Sequence, residues 1–189
     1  LGLGLALGRM SRIPVLSQVC LFLIEFFRTT PPLVQLFWFF FALPILISAQ
    51  MTPFVASVLT FSIQSSAFFA EIFRGGINSI DKGQWEAAKA IGMTQKSSLR
   101  RIILPQAVKR MIPAFAERSI ELLKTTTLIS TVSYADLMFQ ANDLASKTFR
   151  PLEVYTIVAV MYFFLILVFS QLTILLEYRL AKSGEGTMR

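Results

Sequence analysis

Apolar residues in this chain come in long blocks that polar residues interrupt at intervals. Leu33 to Ile47 is an uncharged run rich in Phe, Phe54 to Phe73 carries a single charge at Glu71, and Val154 to Leu176 carries none. Blocks of this kind match helices crossing a hydrocarbon core, for which about twenty apolar residues suffice. Leu1 to Gly8 is apolar but only eight residues long before Arg9. That length is too short to span, so it is expected to be the end of a first transmembrane helix. A cleaved signal peptide is the competing reading, but Leu-Gly repeats ending at Arg-Met-Ser-Arg fit a helix end better. The pattern predicts an all-α integral membrane protein, one domain over 1–189, with five transmembrane helices in the intact chain and the first truncated here.

The connecting segments have their own patterns. Val15, Val19, Phe22, Leu23 and Phe26 fall at helical spacing within Ile13 to Thr30, beside Glu25 and Arg28. An interfacial elbow helix fits, with a plain core helix as the other reading. Pro31-Pro32 starts the next element, because Pro is tolerated in a first helical turn. Pro44 is expected to kink the following run or end it early. Ser48 to Pro53 reads as a short outer turn. Gln64, Ser65 and Ser66 lie in the middle of the returning span. Such groups either bond a neighbouring helix or line a substrate path.

The longest polar interruption runs from Gln84 to Ala107, inside a loop placed at 75–107. Asp81 is a candidate N-cap with Gln84 at N3, and Trp85 to Ile91 is good helix-forming sequence. Gly92 can end that helix in the left-handed conformation. Thr94 can cap a second helix, which is expected to end near Leu104 because Pro105 disfavours helix just before it. Ala87, Ala88 and Ala90 keep the first helix thin enough to enter a groove. The product is a helix, a Gly turn and a helix; an ordinary amphipathic surface hairpin has the same physics.

Composition narrows the class. Hydrophobic residues make up 54% and charged residues 15%, with 18 Phe. A soluble domain would carry about 25% charge. The formal charge of +7 is not spread as a nucleic-acid footprint would be. From Arg74 to Arg110 there are eight basic residues against Asp81 and Glu86, which marks the cytoplasmic side, as do Arg9 and Arg12. Some of these lysines are expected to touch anionic membrane lipids. The one cysteine, Cys20, can form no internal disulfide and is expected to pack. There is no His, CxxC or HExxH, so no metal site is expected, and no GxxxxGK[ST] loop for binding ATP.

Met111 to Leu137 holds Glu117, Arg118, Glu121 and Lys124 in an apolar frame. At 100° per residue, Glu117, Glu121 and Lys124 fall within roughly 60° of one another. Each charge near a bilayer centre costs about 2.5–3.5 kcal/mol, against a gain of about 0.5 for a Leu or Ile. The stripe must therefore face protein or water, or sit at the membrane edge. It either serves function or pairs internally, Glu121 with Lys124. Thr125, Thr126 and Thr127 follow and can carry a polar break in the helix. Ala135 to Glu153 is not basic overall, as suits an outer loop. Glu177 to Arg189 reads as a polar tail, cytoplasmic and partly disordered.

Glu86-Ala87-Ala88, three residues, Gly92, nine residues, Ile102, one residue and Leu104-Pro105 resembles the EAA loop of ABC-type importer permeases. Ala70-Glu71-Ile72-Phe73-Arg74-Gly75-Gly76-Ile77 and Lys82-Gly83-Gln84-Trp85 resemble the polar amino acid branch of that family. So does Phe27 to Phe37, where the family form has Gly-Thr-Pro-Leu after the Arg. Leu122-Leu123-Lys124-Thr125-Thr126-Thr127-Leu128 resembles its Leu-Leu-Lys-Asp-Thr-Ser-Leu stretch, with Thr125 where an acid is common.

The resemblance implies a type I ABC importer permease fold in a bacterial inner membrane. The EAA loop and C-terminus would be cytoplasmic, with the first EAA helix seated in a cleft of a separate ATPase. It implies a second permease subunit, identical or related, an extracytoplasmic substrate-binding protein and a polar amino acid cargo, with ATP and Mg bound by the partner ATPase. The coupling residues it implies are Glu86, Ala87, Ala88, Gly92, Ile102, Leu104 and Pro105. Candidates for the substrate path are Gln64, Ser65, Glu117, Glu121, Lys124 and Thr125. The competing readings are a permease for an osmolyte or opine, an ion-coupled secondary transporter using Glu117 to Lys124 directly, and a membrane scaffold without cargo.

Overall fold

The computed structural model describes residues 1–185, with side chains through Leu175. Every regular element among them is helical. In order these are α1 (Gly2–Arg9), α2 (Pro14–Thr29), α3 (Pro32–Phe37), α4 (Leu43–Ile47), α5 (Pro53–Asn78), α6 (Lys82–Ala90), α7 (Gln95–Ser98), α8 (Leu104–Thr125), α9 (Leu137–Thr148) and α10 (Pro151–Glu185). Two π turns, Trp38–Ala42 and Leu99–Ile103, join α3 to α4 and α7 to α8, and a 3-10 turn, Thr126–Val132, follows α8.

Among the described residues two helices are long and apolar enough to cross a membrane, α5 and the Pro151–Leu175 part of α10. The pair Pro14–Thr29 and Pro32–Ile47 qualifies together but bends by 103° at its break. The bend falls at Pro31-Pro32. Pro31 sits at φ −57°, ψ 135°, and Pro32 opens α3. Gln35 fixes the corner by donating to the carbonyls of Phe27 at 2.9 Å and Thr30 at 3.0 Å. The stripe of Val15, Val19, Phe22, Leu23 and Phe26 is exposed, and the buried residues of α2 are Cys20 and Ile24. This is the elbow helix, not a core helix. Five crossings in an intact chain remain a sequence expectation beside these two helices and one bent pair.

Neither proline interrupts its helix. Pro44 was expected to kink or end its run and Pro105 to stop a helix near Leu104; neither ends the helix, because helical backbone continues through both. The reason is the same twice. A proline inside a helix removes one N–H and drives its ring against the carbonyl four residues back. In each case a π turn ends two residues before the proline, at Ala42 and at Ile103. The amide of Leu43 reaches the Trp38 carbonyl, and that of Leu104 reaches Leu99, each one residue further back than in an α-helix. The wider turn makes room for the ring without breaking the run.

Contacts divide the chain into two units, the first being Leu1–Glu25, Ser66–Arg118 and the part from Thr173, the second Phe26–Ser65 and Ser119–Leu172. In the first, Ala6, Ile24 and Ala70 pack together with Leu5 and Phe73 at their side. α1 can lie against α5 because Gly2 has no side chain: a Cβ there would stand 2.8 Å from the Ser66 carbonyl oxygen. Arg9 bonds Glu71, which also takes Arg74 at 2.9 Å. In the second unit, Ala141, Ala145, Val154 and Val158 pack α9 on the start of α10.

The segment Ala135 to Glu153, expected as a loop, contains the helix α9. Asp136 caps it by accepting from the Phe139 amide at 2.7 Å. Phe149 ends it in the left-handed region at φ 58°. The polar tail begins as helix, since α10 runs to Glu185, and the expected disorder beyond it falls on 186–189, outside the described residues.

Glu71→Ala should lower stability by about 1.5–3 kcal/mol, because it removes the part-buried carboxylate that Arg9 and Arg74 share. Glu25→Ala should cost less, its side chain being 47% exposed against 16% for Glu71. Thermal unfolding of both variants in detergent checks the order.

Candidate functional site

The polar interruption folds as a helical hairpin on a hydrophobic base. Asp81 takes the N-cap position of α6, but its side chain makes no capping bond. It lies instead 3.9 Å from Arg110, which also donates to the Ser79 carbonyl. The expected capping box is therefore replaced by a tether from α8 to the entry of α6. At the other end Gly92 stands at φ +80°. Its amide bonds the Lys89 carbonyl at 3.0 Å, and the Met93 amide bonds Ala88 at 3.0 Å. That pair of bonds is a Schellman closure, whose left-handed residue is normally Gly. Thr94 then caps α7, accepting from the Ser97 amide at 3.3 Å.

The coupling candidates fall into two groups. Glu86 and Ala87 are exposed on α6, while Ala88 is buried. Trp85, one helical turn before Ala88, is part-buried and points the same way, into a cluster of Ile80, Ile103, Ala107 and Met111. Ile102 joins that cluster from the π turn, with Ile72, Phe73, Ile77, Leu99 and Phe115 around it. Leu104 and Pro105 are exposed on the continuing helix. The outward face of α6 is thus exposed, and the inward face is fastened to α5 and α8. The loop placed at 75–107 begins inside the last turn of α5 and ends inside α8.

The path candidates also separate. Gln64 and Ser65 are buried in the middle of α5, and Gln64 Oε1 and Ser65 Oγ have no hydrogen-bond partner among the described residues. Glu117, Glu121 and Lys124 are exposed along α8, and Thr125 is part-buried. At Thr126 the helix tightens to 3-10 geometry. The hydroxyls of Thr126 and Thr127 donate to the carbonyls of Leu123 and Lys124, three residues back, at 2.7 and 2.9 Å. The polar break expected at the threonines is this change of helix type.

Two further residues matter here, Phe115, which the sequence did not single out, and Arg118, which stood there only among the charges of its segment. Arg118 is 6% exposed, with its guanidinium 3.4 Å from the centre of the Phe68 ring. Phe115, one turn earlier, touches the rings of Phe69 and Phe73 at centroid distances of 5.2 and 5.1 Å. Together they clamp α8 to α5. The signal was present in the spacing: Arg118 is in phase with Ala107 and Met111, so its place on the packed face could be read from the sequence.

Apolar crossings joined to a fastened helix, Gly turn and helix with EAA spacing define a membrane permease of the ABC importer class. The chain belongs to the family of binding-protein-dependent transport system inner membrane components, whose model matches residues 1–182. It is 41% identical over 183 residues to the probable amino-acid permease protein YxeN of Bacillus subtilis (strain 168), covering 96% of this chain and 82% of that one. It is 38% identical over 167 residues to the glutamine transport system permease protein GlnP of Escherichia coli (strain K12), covering 88% and 76%. A crystal structure of an amino acid ABC transporter with histidines superposes with a TM-score of 0.89 at 40% identity, covering 94% of this chain and 83% of that one. The fold is that of a type I ABC importer permease.

Ile103 is fully buried at the base of the hairpin and Ile91 is 74% exposed at its tip. Ile103→Ala should cost about 2–5 kcal/mol, and Ile91→Ala less than about 0.5 kcal/mol. Denaturant unfolding of the two variants in mixed micelles measures the difference.

Proposed function

We propose that this chain is the membrane-spanning subunit of an ATP-driven importer of polar amino acids. The observation that carries the reading is α6, a short helix with Glu86 and Ala87 turned outward and Ala88 and Trp85 holding it to its base. Such a helix can be seated in a cleft of another protein and pass force inward. Separate ATPase subunits bind ATP and Mg and take α6; this chain supplies no ATPase site. The basic surplus from Arg74 to Arg110 favours a cytoplasmic hairpin and C-terminus in an inner membrane.

The cargo class rests on the relatives, whose names specify amino acids and, in one case, glutamine. The family's dependence on a binding protein supports delivery from an extracytoplasmic carrier. A second permease subunit, identical or related, supplies the other half of the path. This chain's half is drawn from Gln64, Ser65, Glu117, Glu121, Lys124 and Thr125. ATP binding closes the ATPases, their clefts draw α6 along, and α8 follows because it shares the hydrophobic base with α6. Alternating access results. An osmolyte or opine would use the same coupling, because the hairpin reports on the ATPase and not on the cargo.

Gly92→Pro tests the coupling. Proline holds φ near −65° and cannot take the +80° of Gly92. In proteoliposomes holding the assembled importer, the variant should insert normally and hydrolyse ATP while glutamine uptake falls at least tenfold. Uptake at the wild-type rate would defeat the reading.

A further inference from the structure

The 103° bend between α2 and α3 holds a cavity of about 300 Å³. Phe26, Phe27 and Thr30 line it from the end of α2, and Val34, Gln35, Trp38 and Phe39 from α3 and the π turn that follows. Each arm brings two rings set edge to face, Phe26 with Phe27 and Trp38 with Phe39, both pairs with centroids 5.2 Å apart. Phe39 and Gln35 are buried, while Phe26, Val34 and Trp38 are about half exposed. The polar groups of the lining are turned to backbone. The Thr30 hydroxyl donates to the Phe26 carbonyl at 2.7 Å, and the Gln35 amide nitrogen holds the carbonyls of Phe27 and Thr30. One acceptor is left over: Gln35 is 5% exposed, and its Oε1 has no hydrogen-bond partner among the described residues. A buried acceptor without a donor is costly, and a bound donor relieves that cost.

We infer that the crook of this elbow is a binding site for one membrane phospholipid, with a length of acyl chain against the four rings and a headgroup hydrogen-bond donor at Gln35. Water is a poor occupant, because cavities with apolar linings stay dry. A second protein is a poor one too, since seven residues line the cavity, against about 20–30 a side in a stable protein interface. A lipid chain is already next to it. Phe26 belongs both to the cavity and to the exposed apolar stripe of α2, the face that an interfacial helix turns to acyl chains. The bend is also where that helix gives way to one entering the hydrocarbon, the level at which chain and headgroup meet and Trp is enriched. Phosphatidylethanolamine carries N–H donors for Gln35 and phosphatidylcholine carries none, so the site favours the former. The inference needs only a membrane around the chain and does not depend on cargo or ATPase.

Trp38 is the probe for the test. Trp85→Phe leaves it the single tryptophan of the chain. The variant is placed in phosphatidylcholine bilayers, and phosphatidylethanolamine or phosphatidylcholine with brominated acyl chains is titrated in, bromine being a contact quencher of tryptophan. Half of the quenching should come at a mole fraction of the brominated ethanolamine lipid on the order of fivefold below that of the brominated choline lipid, one hydrogen bond separating the two. Val34→Phe in the same background fills the cavity and should remove the difference. Native mass spectrometry of the assembled importer in mild detergent should show phosphatidylethanolamine retained on this chain and lost with Val34→Phe, while gel filtration confirms that the filled variant is folded.

Quenching that follows the bulk mole fraction alike for both lipids would overturn the site, and that comparison stands even where Val34→Phe does not fold. A preference that a folded Val34→Phe leaves intact would place the lipid elsewhere and overturn the site as well. Retention of phosphatidylethanolamine by the separate chain but not by the assembled importer would show the cavity filled by a neighbouring subunit, and would overturn lipid as its occupant.

Discussion

The continuity of one helical run through Pro105 is the condition on which the attachment of the hairpin to α8 depends, and with it the coupling proposed for α6. A proline there removes the amide that would have bonded Arg101 and places its ring against that carbonyl. A break would leave the hairpin on a flexible joint, and motion of α6 would be lost before it reached α8. The π turn avoids this by shifting the bonding partner one residue back, from Leu104 to Leu99. Helical backbone then extends without interruption from Gln95 to Val132. The same arrangement at Pro44 keeps α3 and α4 in one run to Ile47, where Ser48 ends it in the left-handed region.

Continuity alone does not make a lever, because a helix of this length must also be held. The hydrophobic base does that. Ile103, Ala107 and Met111 occupy successive turns of one face and meet Ile77 from α5, Trp85 from α6 and Ile80 from the link between those helices. Burying each large side chain stabilises by about 1.5–3 kcal/mol, so several of them outweigh the modest polar contacts of the exposed face. Further along, Phe115 and Arg118 repeat the attachment through aromatic and cation-π contacts to Phe69, Phe73 and Phe68. The outward residues of α6 are left without such duties, which is why Glu86 can meet a partner without disturbing the fold.

Much of this was legible in the residues because the relevant signals are local. Gly92 and Thr94 announce a C-terminal closure and a new cap, and both occur as read. The exposed stripe of α2 follows from helical spacing. Other features escaped because they depend on partners distant in sequence. Asp81 occupies the N-cap position, yet Arg110 takes its carboxylate, a contact across 29 positions that no capping rule contains. Pro44 as a kink or an end, and Pro105 as an end, follow from a local rule that concerns α-helices; the π turns before both prolines lie outside that rule. α9 is obscured by the mixed charge of its segment, although Asp136 three residues before Phe139 is a visible cap.

The geometry of α8 also limits what its charges can do. At 100° per residue Ala107, Met111 and Arg118 fall within about 40° of one another, and these are its buried residues. Glu117, Glu121 and Lys124 span about 60°, centred roughly a quarter-turn away. They therefore lie along the edge of the packed face and not opposite it. Three charges turned to lipid would cost about 8–10 kcal/mol, comparable with the whole stability of a typical fold. α10 shows what a lipid-facing helix in this chain looks like, with 6% of its most apolar stretch buried and no charge between Val154 and Leu175. A charged edge beside a packed face, on the helix that runs on from the coupling hairpin, is suited to the wall of a hydrated path whose width changes when α8 moves.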